Sequence, residues 1–282
     1  MSNCIVCDNN KYFKIKFDIL KECQACKHIF ADLDLNLDEV KKIYSKNYFF
    51  GEEYIDYIND KKQIEKNSSI RLKEIQKYIN HKIKNNLFEI GCAYGFFLNY
   101  SKKLFNKVCG IDINKEGIEY AKEKLNLNVY RDDFLNINKN IINDYNIFCM
   151  FDVIEHLNNP KEIIKNISLN SKKESLLFIT TGDISSLNAK IKGKNWRLIH
   201  PPSHIHYFKK STIKILLEKN GFEVLSIKSC GYYRNLNFIF NKIFYKKRYL
   251  NLLIKILSYL KILNLDIYLN LFDIMFVVAK KK

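Results

Sequence analysis

The sequence predicts an α/β fold built on a doubly wound parallel sheet, preceded by a small metal-binding segment. Short apolar runs alternate with helical patterns along most of the 282 residues, which is the pattern of such a sheet. A glycine-punctuated turn follows the first apolar run, at a place where a ligand can approach the backbone. Four cysteines lie within the first 26 residues, and they predict the metal-binding segment.

The cysteines form two Cys-x-x-Cys pairs separated by fifteen residues: Cys4 and Cys7, then Cys23 and Cys26. Each pair can direct two thiolates at one ion, and four thiolates complete the tetrahedron that structural zinc prefers. No signal peptide is visible, so we expect a cytoplasmic, reducing location in which such cysteines bind metal. A disulfide pair or a redox site is the alternative. We therefore predict a structural zinc ribbon over residues 1–31.

The positive charge of the chain comes almost entirely from lysine. The net charge is +17, yet only five of the 47 basic residues are arginine. Arginine is the residue suited to bidentate recognition of phosphates and bases. A nucleic-acid partner is therefore possible but less favoured than a solvated lysine surface. No segment has the roughly 18 uninterrupted apolar residues of a membrane span.

The alternation of patterns assigns the elements of the main domain, residues 68–282. Strands are predicted at 87–90, 108–111, 128–130, 145–150, 176–180, 222–227 and 274–279, and helices near 95–106, 115–125, 160–168 and 211–220. Ligands of a doubly wound sheet bind beyond the carboxyl ends of its strands, so we expect the site there.

Two further segments flank or interrupt this domain. Residues 32–67 form an aromatic connector, whose tyrosines either lie over a ligand or pack the ribbon against the main domain. A helical insertion is predicted at about 232–272, with an apolar face and lysine flanks. Such a face suits peripheral contact with an anionic membrane surface, a cover over the site or a dimer contact.

The turn after the first strand reads Glu89-x-Gly91-x-Ala93-x-Gly95. A dinucleotide fold would have Gly-x-Gly-x-x-Gly, but Ala93 takes the second glycine position and Phe96 the third. The charge of Glu89 would also oppose a pyrophosphate, whereas a ligand with ammonium and sulfonium groups would tolerate it. The turn therefore resembles motif I of the class I S-adenosylmethionine-dependent methyltransferases, a family in which glycine is usual where Ala93 stands.

The resemblance implies a Rossmann-like sheet of seven strands whose last strand is antiparallel, with S-adenosylmethionine as cofactor. It places Asp112 on the ribose hydroxyls, and Asp133 and Phe134 on the adenine. The full set of cofactor-binding residues that it implies is Glu89, Gly91, Cys92, Ala93, Gly95, Asp112, Ile113, Asp133, Phe134 and Phe151. Glu155-His156 followed by Asn-Asn-Pro is similar to the type 23-like methyltransferases, a subfamily that contains ubiquinone-type and glycan-tailoring enzymes.

Methyl transfer to oxygen needs a base for the hydroxyl proton, and histidine can serve near neutral pH. His156 follows the fourth strand and ranks first as base or acceptor-positioning residue. His204, in the loop from Trp196 to Phe208, ranks second, with a structural role as the alternative. A second metal site is also considered, formed by His200, His204 and His206, but the spacing of these histidines fits no standard zinc pattern.

These observations lead us to expect a methyltransferase acting on a small-molecule or glycan acceptor. The function that we expect is O-methylation of a sugar in surface polysaccharide or nucleotide-sugar biosynthesis. The alternatives are an rRNA methyltransferase with a zinc ribbon, a lipid-quinone O-methyltransferase and a non-enzymatic zinc-ribbon binding module. We expect a cytoplasmic protein, with contact at the inner face of the membrane as a further possibility.

Overall fold

The computed structural model describes residues 3–10, 13–17, 20–31, 33, 39, 43, 58, 60–244, 263 and 265–282. Most of the aromatic connector, including its tyrosines, and residues 245–262 of the insertion lie outside the described residues.

The chain forms thirteen strands and eight helices within the described residues, numbered in chain order. The strands are β1 (Phe13–Lys16), β2 (Leu20–Cys23), β3 (Ile29–Phe30), β4 (Asn86–Ile90), β5 (Lys107–Asp112), β6 (Val129–Arg131), β7 (Ile147–Phe151), β8 (Leu176–Gly182), β9 (His206–Tyr207), β10 (Phe222–Ser229), β11 (Tyr232–Asn235), β12 (Asp266–Leu269) and β13 (Ile274–Lys281). The helices are α1 (Lys61–Gln76), α2 (Phe96–Ser101), α3 (Lys115–Glu123), α4 (Lys139–Asn143), α5 (Pro160–Asn170), α6 (Leu187–Lys192), α7 (Lys210–Lys219) and α8 (Leu236–Phe244). Short 3-10 turns at Phe134–Asn136 and Ile154–His156 follow β6 and β7.

The central sheet has seven strands in the order β10-β13-β8-β7-β4-β5-β6. The strands from β8 to β6 pair in parallel, and β13 runs antiparallel to both of its neighbours. The predicted doubly wound sheet with an antiparallel last strand is confirmed. Helix α2 ends at Ser101, before the predicted end near 106, and the buried Ser101 hydroxyl there donates to the Phe97 carbonyl.

The central strands are buried on both faces because helices cover both sides of the sheet. On one face Phe88 and Phe148 pack with Ile164 of α5 and Leu216 of α7. On the other face, the adjacent strand residues pack against α1, α2 and α3, and this set contains Leu72, Ile75, Leu87, Phe97, Leu98, Ile118, Ala121, Ile147 and Cys149. Successive strand residues thus alternate between two cores, one on each face of the sheet.

The N-terminal ribbon does not form a sheet by itself. Strands β1, β2 and β3 are joined by β9, which comes from the loop between β8 and α7 of the main domain. Ile29 pairs with Tyr207 and Phe30 with His206, and the Ala31 amide donates to the Ile205 carbonyl at 2.9 Å. The predicted ribbon of residues 1–31 therefore shares its sheet with the loop from Trp196 to Phe208, which contains His204.

The insertion predicted as helical begins and ends with strands. β11 and β12 form a two-stranded antiparallel sheet, and α8 follows β11. The paired tyrosines Tyr233 and Tyr268 explain the difference, because aromatic residues favour strand pairing. The apolar and lysine-flanked face around 250–262 lies outside the described residues. Among the residues described, no helix is long and apolar enough to cross a membrane.

The turn between β4 and α2 depends on left-handed backbone at three positions. Gly91 has φ +74° and Gly95 has φ +73°. A Cβ atom on Gly91 would lie 2.4 Å from Val153 Cγ2, so a side chain there would clash as well as strain the backbone. Ala93 has φ +45°, a conformation that costs a residue with a Cβ about 1 kcal/mol. The family's usual glycine at this position would avoid that cost.

Gly91→Ala is expected to lower the free energy of unfolding by about 2 kcal/mol, because the new methyl group meets Val153 on a left-handed backbone. Ala93→Gly should change it by less than about 1 kcal/mol, since relief of strain is offset by the greater entropy of the unfolded chain. Urea denaturation of the two variants beside the wild type measures both. Equal stability of Gly91→Ala and wild type would contradict this account of the turn.

Candidate active site

A cavity of about 430 Å³ opens at the carboxyl ends of the central strands. The predicted site residues that line it are Gly91, Ala93, Asp112, Ile113, Asp133, Phe134, Phe151, His156 and His204. Glu89, Cys92 and Gly95 are not among its lining residues. Cys92 and Gly95 instead shape the turn, since the Gly95 amide donates to the Cys92 carbonyl at 2.7 Å. The structure thus brings most of the predicted residues into one place.

Asp112 ends β5 with both carboxylate oxygens fixed by backbone. The Ala93 amide donates to Oδ2 and the Asn114 amide to Oδ1, each at 2.8 Å. Burial raises the pKa of this carboxyl, and the two amides act in the opposite direction. The side chain is therefore held rigidly between the β4 turn and α3. A carboxylate oxygen has two lone pairs, so Asp112 can still accept bonds from ligand hydroxyl groups at the cavity wall.

Glu89 lies behind the cavity wall, 5% exposed, with no hydrogen-bond partner for Oε2. Burial raises its pKa to about 8; Arg71 lowers the pKa and Asp112 raises it further. An unpartnered buried carboxyl next to a cavity fits a ligand that brings positive charge. The residues present therefore fit the ammonium and sulfonium groups of S-adenosylmethionine.

The turn after β6 carries Asp133 and Phe134, the residues predicted for the adenine, and Leu135 beside them. Asp133 caps the 3-10 turn after β6 by accepting the Leu135 amide at 2.8 Å. The Phe134 ring is only 3% exposed and packs edge-on against Phe88 in the core. Leu135 also lines the cavity and is 40% exposed. The 3-10 turn thus directs Phe134 inward and leaves Leu135 as the apolar side chain accessible to a ring.

Arg71 and Asp152 line the cavity together, and sequence reasoning missed both. The Arg71 guanidinium donates to Asp152 Oδ2 at 2.6 Å and lies 4.5 Å from the Phe151 ring centroid. Asp152, at φ +58°, also accepts the Thr180 hydroxyl at 2.9 Å. Asp152 comes directly after β7, and an acid at the end of a predicted strand could have been recognised in the sequence as a candidate site residue. Arg71 on α1 could be found only through the fold.

His156 lies on the turn after β7 and has a defined tautomer. Its Nδ1–H donates to the Ser203 carbonyl at 2.8 Å, so Nε2 is the basic nitrogen of the neutral ring. Burial lowers the pKa of His156 to about 4, although the Ser203 bond raises it. The imidazole is therefore neutral near pH 7 and carries the lone pair that a proton acceptor needs.

His204 contacts His156, with ring centroids 4.5 Å apart, and also contacts His200 at 3.8 Å. Its Nδ1–H donates to the Leu198 carbonyl at 3.0 Å, which fixes the ring within the loop. The ligand-type atoms of Glu155, His156 and His204 lie within 4.8 Å of one another. These are groups that divalent cations accept, and they include one of the three histidines first considered as a metal set.

Glu155 is buried on the turn after β7. It is 4% exposed, its Oε2 has no hydrogen-bond partner, and burial raises its pKa to about 8. The nearby charge of Asp152 acts in the same direction. The backbone carbonyl of Glu155 accepts the Ile205 amide at 2.9 Å. This bond ties the turn that carries His156 to the loop that carries His204.

The four ribbon cysteines converge as the spacing predicts. The sulfur atoms of Cys4 and Cys26 lie 3.5 Å apart, and those of Cys7 and Cys23 lie 3.6 Å apart. All four sulfurs lie within 4.8 Å of one another. These separations are too long for disulfides and close to those of thiolates around one tetrahedral ion at about 2.3 Å from each sulfur. The donor set therefore fits a structural zinc ion.

His28, two residues after Cys26, contacts the main domain. Its Nε2 lies 3.3 Å from Nδ1 of His206, and both rings are buried. The His28 ring also packs against Phe208, with centroids 5.0 Å apart. His28 thus connects the ribbon to the loop of the main domain.

The profile of the methyltransferase domain family matches residues 60–227 of this chain. The match covers every strand of the parallel sheet and all of the predicted cofactor-binding and catalytic residues. It leaves out the ribbon, the insertion and β13.

Relatives of known function include the mitochondrial ubiquinone biosynthesis O-methyltransferase of Dictyostelium discoideum, 26% identical over 52% of this chain and 52% of that protein. The ubiquinone biosynthesis O-methyltransferase of Pelagibacter ubique is 28% identical over 52% of this chain and 65% of that protein. The chain thus spans about half to two thirds of the length of these relatives.

Solved structures share the fold at low identity. The magnesium protoporphyrin IX methyltransferase of Synechocystis with bound SAH has a TM-score of 0.56 at 12% identity, covering 88% of this chain and 100% of that one. A SAM-dependent methyltransferase from Archaeoglobus fulgidus has a TM-score of 0.52 at 19% identity, covering 80% and 99%.

The affinity for S-adenosylmethionine is expected to rise with pH between 6.5 and 8. Below a pKa of about 8, Glu89 is protonated and must release its proton to stabilise a cationic ligand. Affinity should therefore change by up to about tenfold per pH unit, and Glu89→Gln should remove the dependence. Isothermal titration calorimetry at several pH values measures it.

Glu155→Gln is the matched control, because Glu155 is also buried with a pKa raised to about 8. This variant should keep the pH dependence of the wild type. A dependence that disappears in Glu155→Gln and persists in Glu89→Gln would contradict the assignment to Glu89.

Removal of the ribbon metal is expected to loosen β9. Cys4→Ser combined with Cys7→Ser deletes two of the four thiolates, so zinc measured by mass spectrometry should be lost. Hydrogen exchange at residues 205–208 should then quicken, since β9 pairs with β3, while β7 stays protected. Cys230→Ser, outside the ribbon, should change neither measurement. Zinc loss without faster exchange at 205–208 would show that the metal does not support this strand.

Proposed function

This chain belongs to the family of S-adenosylmethionine-dependent methyltransferases, and we propose that it methylates a hydroxyl oxygen of a sugar in surface polysaccharide or nucleotide-sugar biosynthesis. The observation that carries the proposal is the acceptor side of the cavity. There, a neutral histidine with a fixed tautomer adjoins polar and charged side chains: Asn158, Asn159, Thr180, Arg197, Tyr232 and Arg234. A sugar offers hydroxyl groups to such a surface.

The cofactor is proposed to bind on the β4, β5 and β6 side of the cavity. Asp112 would accept the ribose hydroxyls, Asp133 and Leu135 would hold the adenine, and Arg71 would pair with the carboxylate of the methionine part. Glu89 would complement the positive charge from behind the wall. S-adenosylmethionine, when bound, supplies a methyl group on a positively charged sulfur that needs no further activation.

His156 is proposed to take the hydroxyl proton through Nε2. Its bond to the Ser203 carbonyl keeps the proton on Nδ1 and holds the ring in place. A pKa of about 4 makes it a weak base, so proton transfer must accompany bond formation to oxygen. His204 supports this position through ring contact and its own bond to Leu198. The role of His204 is therefore positioning.

A lipid-quinone O-methyltransferase is the second candidate. It is supported by the names of the relatives, which act in ubiquinone biosynthesis. A phenolic hydroxyl would also suit a weak base, because it releases its proton more readily than a sugar hydroxyl. The polar and charged side chains on the acceptor side of the cavity favour a sugar over a quinone as the acceptor. A nucleic-acid acceptor has support from the net charge of +17 and from the zinc ribbon, but the charge comes almost entirely from lysine.

The test supplies methyl-labelled S-adenosylmethionine and purified protein to extracts of a strain that lacks the gene. The extracts are then separated into sugar, lipid and RNA fractions. Label is expected in the sugar fraction. His156→Ala should lower kcat on that acceptor by 10²–10⁴-fold and leave S-adenosylhomocysteine affinity unchanged.

His81→Ala is the matched control, since His81 is exposed and lies outside the cavity. It should have the activity of the wild type. Label in the lipid fraction would contradict the sugar acceptor and support the lipid-quinone acceptor. Label in RNA would show that the lysine surface binds substrate. Full activity of His156→Ala would remove it as the base.

A further inference from the structure

Arginine is concentrated at the cavity. Only five of the 47 basic residues in the chain are arginine, yet Arg71, Arg197 and Arg234 all line this cavity. No lysine is among its lining residues in the described part of the chain. Lysine carries the same charge, so charge alone does not account for this distribution. Arginine differs in presenting a planar set of donors that matches phosphate and carboxylate groups.

The three arginines divide between the two sides of the cavity. Arg71 lies against Phe151 and Asp152 at the end of β7, next to the proposed cofactor side. Arg197 and Arg234 lie on the acceptor side, and their guanidinium carbons are 5.5 and 5.6 Å from the centroid of the same Tyr232 ring. Two positive groups thus contact a single aromatic ring.

Arg197 is anchored by a buried acid. It donates to Asp273 Oδ1 at 3.0 Å, and Asp273 is 1% exposed. The Trp196 indole and the Asn188 amide donate to Asp273 Oδ2 at 2.9 and 2.8 Å. This network fixes Arg197 through one of its five donors, so the guanidinium can still present others to a ligand.

Arg234 has no carboxylate within salt-bridge distance among the described residues. Its guanidinium contacts two aromatic rings. The guanidinium carbon is 4.9 Å from the centroid of Phe238 and 5.6 Å from the centroid of Tyr232. Strand β11 fixes its backbone through pairing with Ile267 on β12. Asp152 and Asp273 are already paired with Arg71 and Arg197. Arg234 can therefore offer its donors to an anionic group that enters beside Tyr232.

We propose that Arg234 and Arg197 bind a phosphate or diphosphate group joined to the acceptor sugar. This inference rests on the proposed sugar methylation and narrows its substrate to a phosphate-linked sugar. Two sources share the chemistry: a sugar on a nucleoside diphosphate, and a sugar on a lipid diphosphate. The phosphate would be held by charge-assisted hydrogen bonds, and the sugar hydroxyl would then face His156 across the cavity.

The test measures binding to the protein saturated with S-adenosylhomocysteine. The probes are inorganic pyrophosphate, a uridine diphosphate hexose and a polyprenyl diphosphate hexose in detergent micelles. The wild type should bind pyrophosphate and at least one diphosphate hexose. Arg234→Gln should weaken that binding at least about tenfold and leave S-adenosylhomocysteine affinity unchanged.

Arg131→Gln is the matched control, because it removes the same charge from an exposed arginine that does not line the cavity. It should bind the probes as the wild type does. Arg197→Gln is a weaker test, since it leaves Asp273 buried with one fewer partner. The uridine and polyprenyl probes identify the source, because only the correct carrier should also accept methyl label.

Equal binding of the probes by Arg234→Gln and Arg131→Gln would overturn the inference, as would a wild type that binds no phosphate probe. The inference would also be overturned if kcat/KM were the same for a phosphate-free methyl glycoside as for the diphosphate hexose. The proposed sugar methylation would stand in that case. Label that enters no sugar at all would instead refute the proposed function.

Discussion

The pairing of β3 with β9 is the contact on which the arrangement of the acceptor side depends. Through it the ribbon holds the loop that contains His200, Ser203 and His204. The same loop is bonded to the turn after β7, since Ile205 donates to the Glu155 carbonyl and the Ser203 carbonyl accepts His156 Nδ1–H. The position of His156 is thus set from two directions: by its own strand, and by a loop that a distant segment supports.

Electrostatics in the cavity follow from burial. Glu89 and Glu155 are enclosed carboxyls with pKa values raised to about 8, and His156 is an enclosed imidazole whose pKa is lowered to about 4. All three groups are therefore biased toward their neutral forms near pH 7. The fixed positive charges of Arg71 and Arg197 lie beside acids that balance them. The cavity therefore combines arginines of fixed charge with buried groups whose charge can change when a ligand enters.

Local patterns in the sequence predicted most strands of the central sheet and most of the residues on the proposed cofactor side of the cavity. The strands of the central sheet lie close to their predicted positions, since apolar runs bounded by glycine, lysine and asparagine mark them clearly. Asp112 was predictable because its place, at the end of a strand after a glycine turn, is a local feature. Cys4 and Cys26 converge as their spacing indicates. In each case the signal lies within a few residues of the feature.

The parts that sequence reasoning missed depend on contacts between distant segments or on the direction of single side chains. Arg71 meets Asp152 across 81 positions, and Arg197 meets Asp273 across 76. The sequence around these four residues contains no pattern that predicts either pair. The exposure of Leu135 beside the buried Phe134 was also missed, because a 3-10 turn rotates successive side chains differently from a strand.

The join between β3 and β9 also constrains the order in which this protein can fold. His28 and His206 are 178 positions apart, so the N-terminal sheet cannot be completed until most of the chain has left the ribosome. During synthesis β3 keeps an unpaired edge until the loop between β8 and α7 has been made. Completion of the N-terminal sheet thus requires a segment of the main domain, although β10 and β13 of the central sheet still follow that segment in the chain.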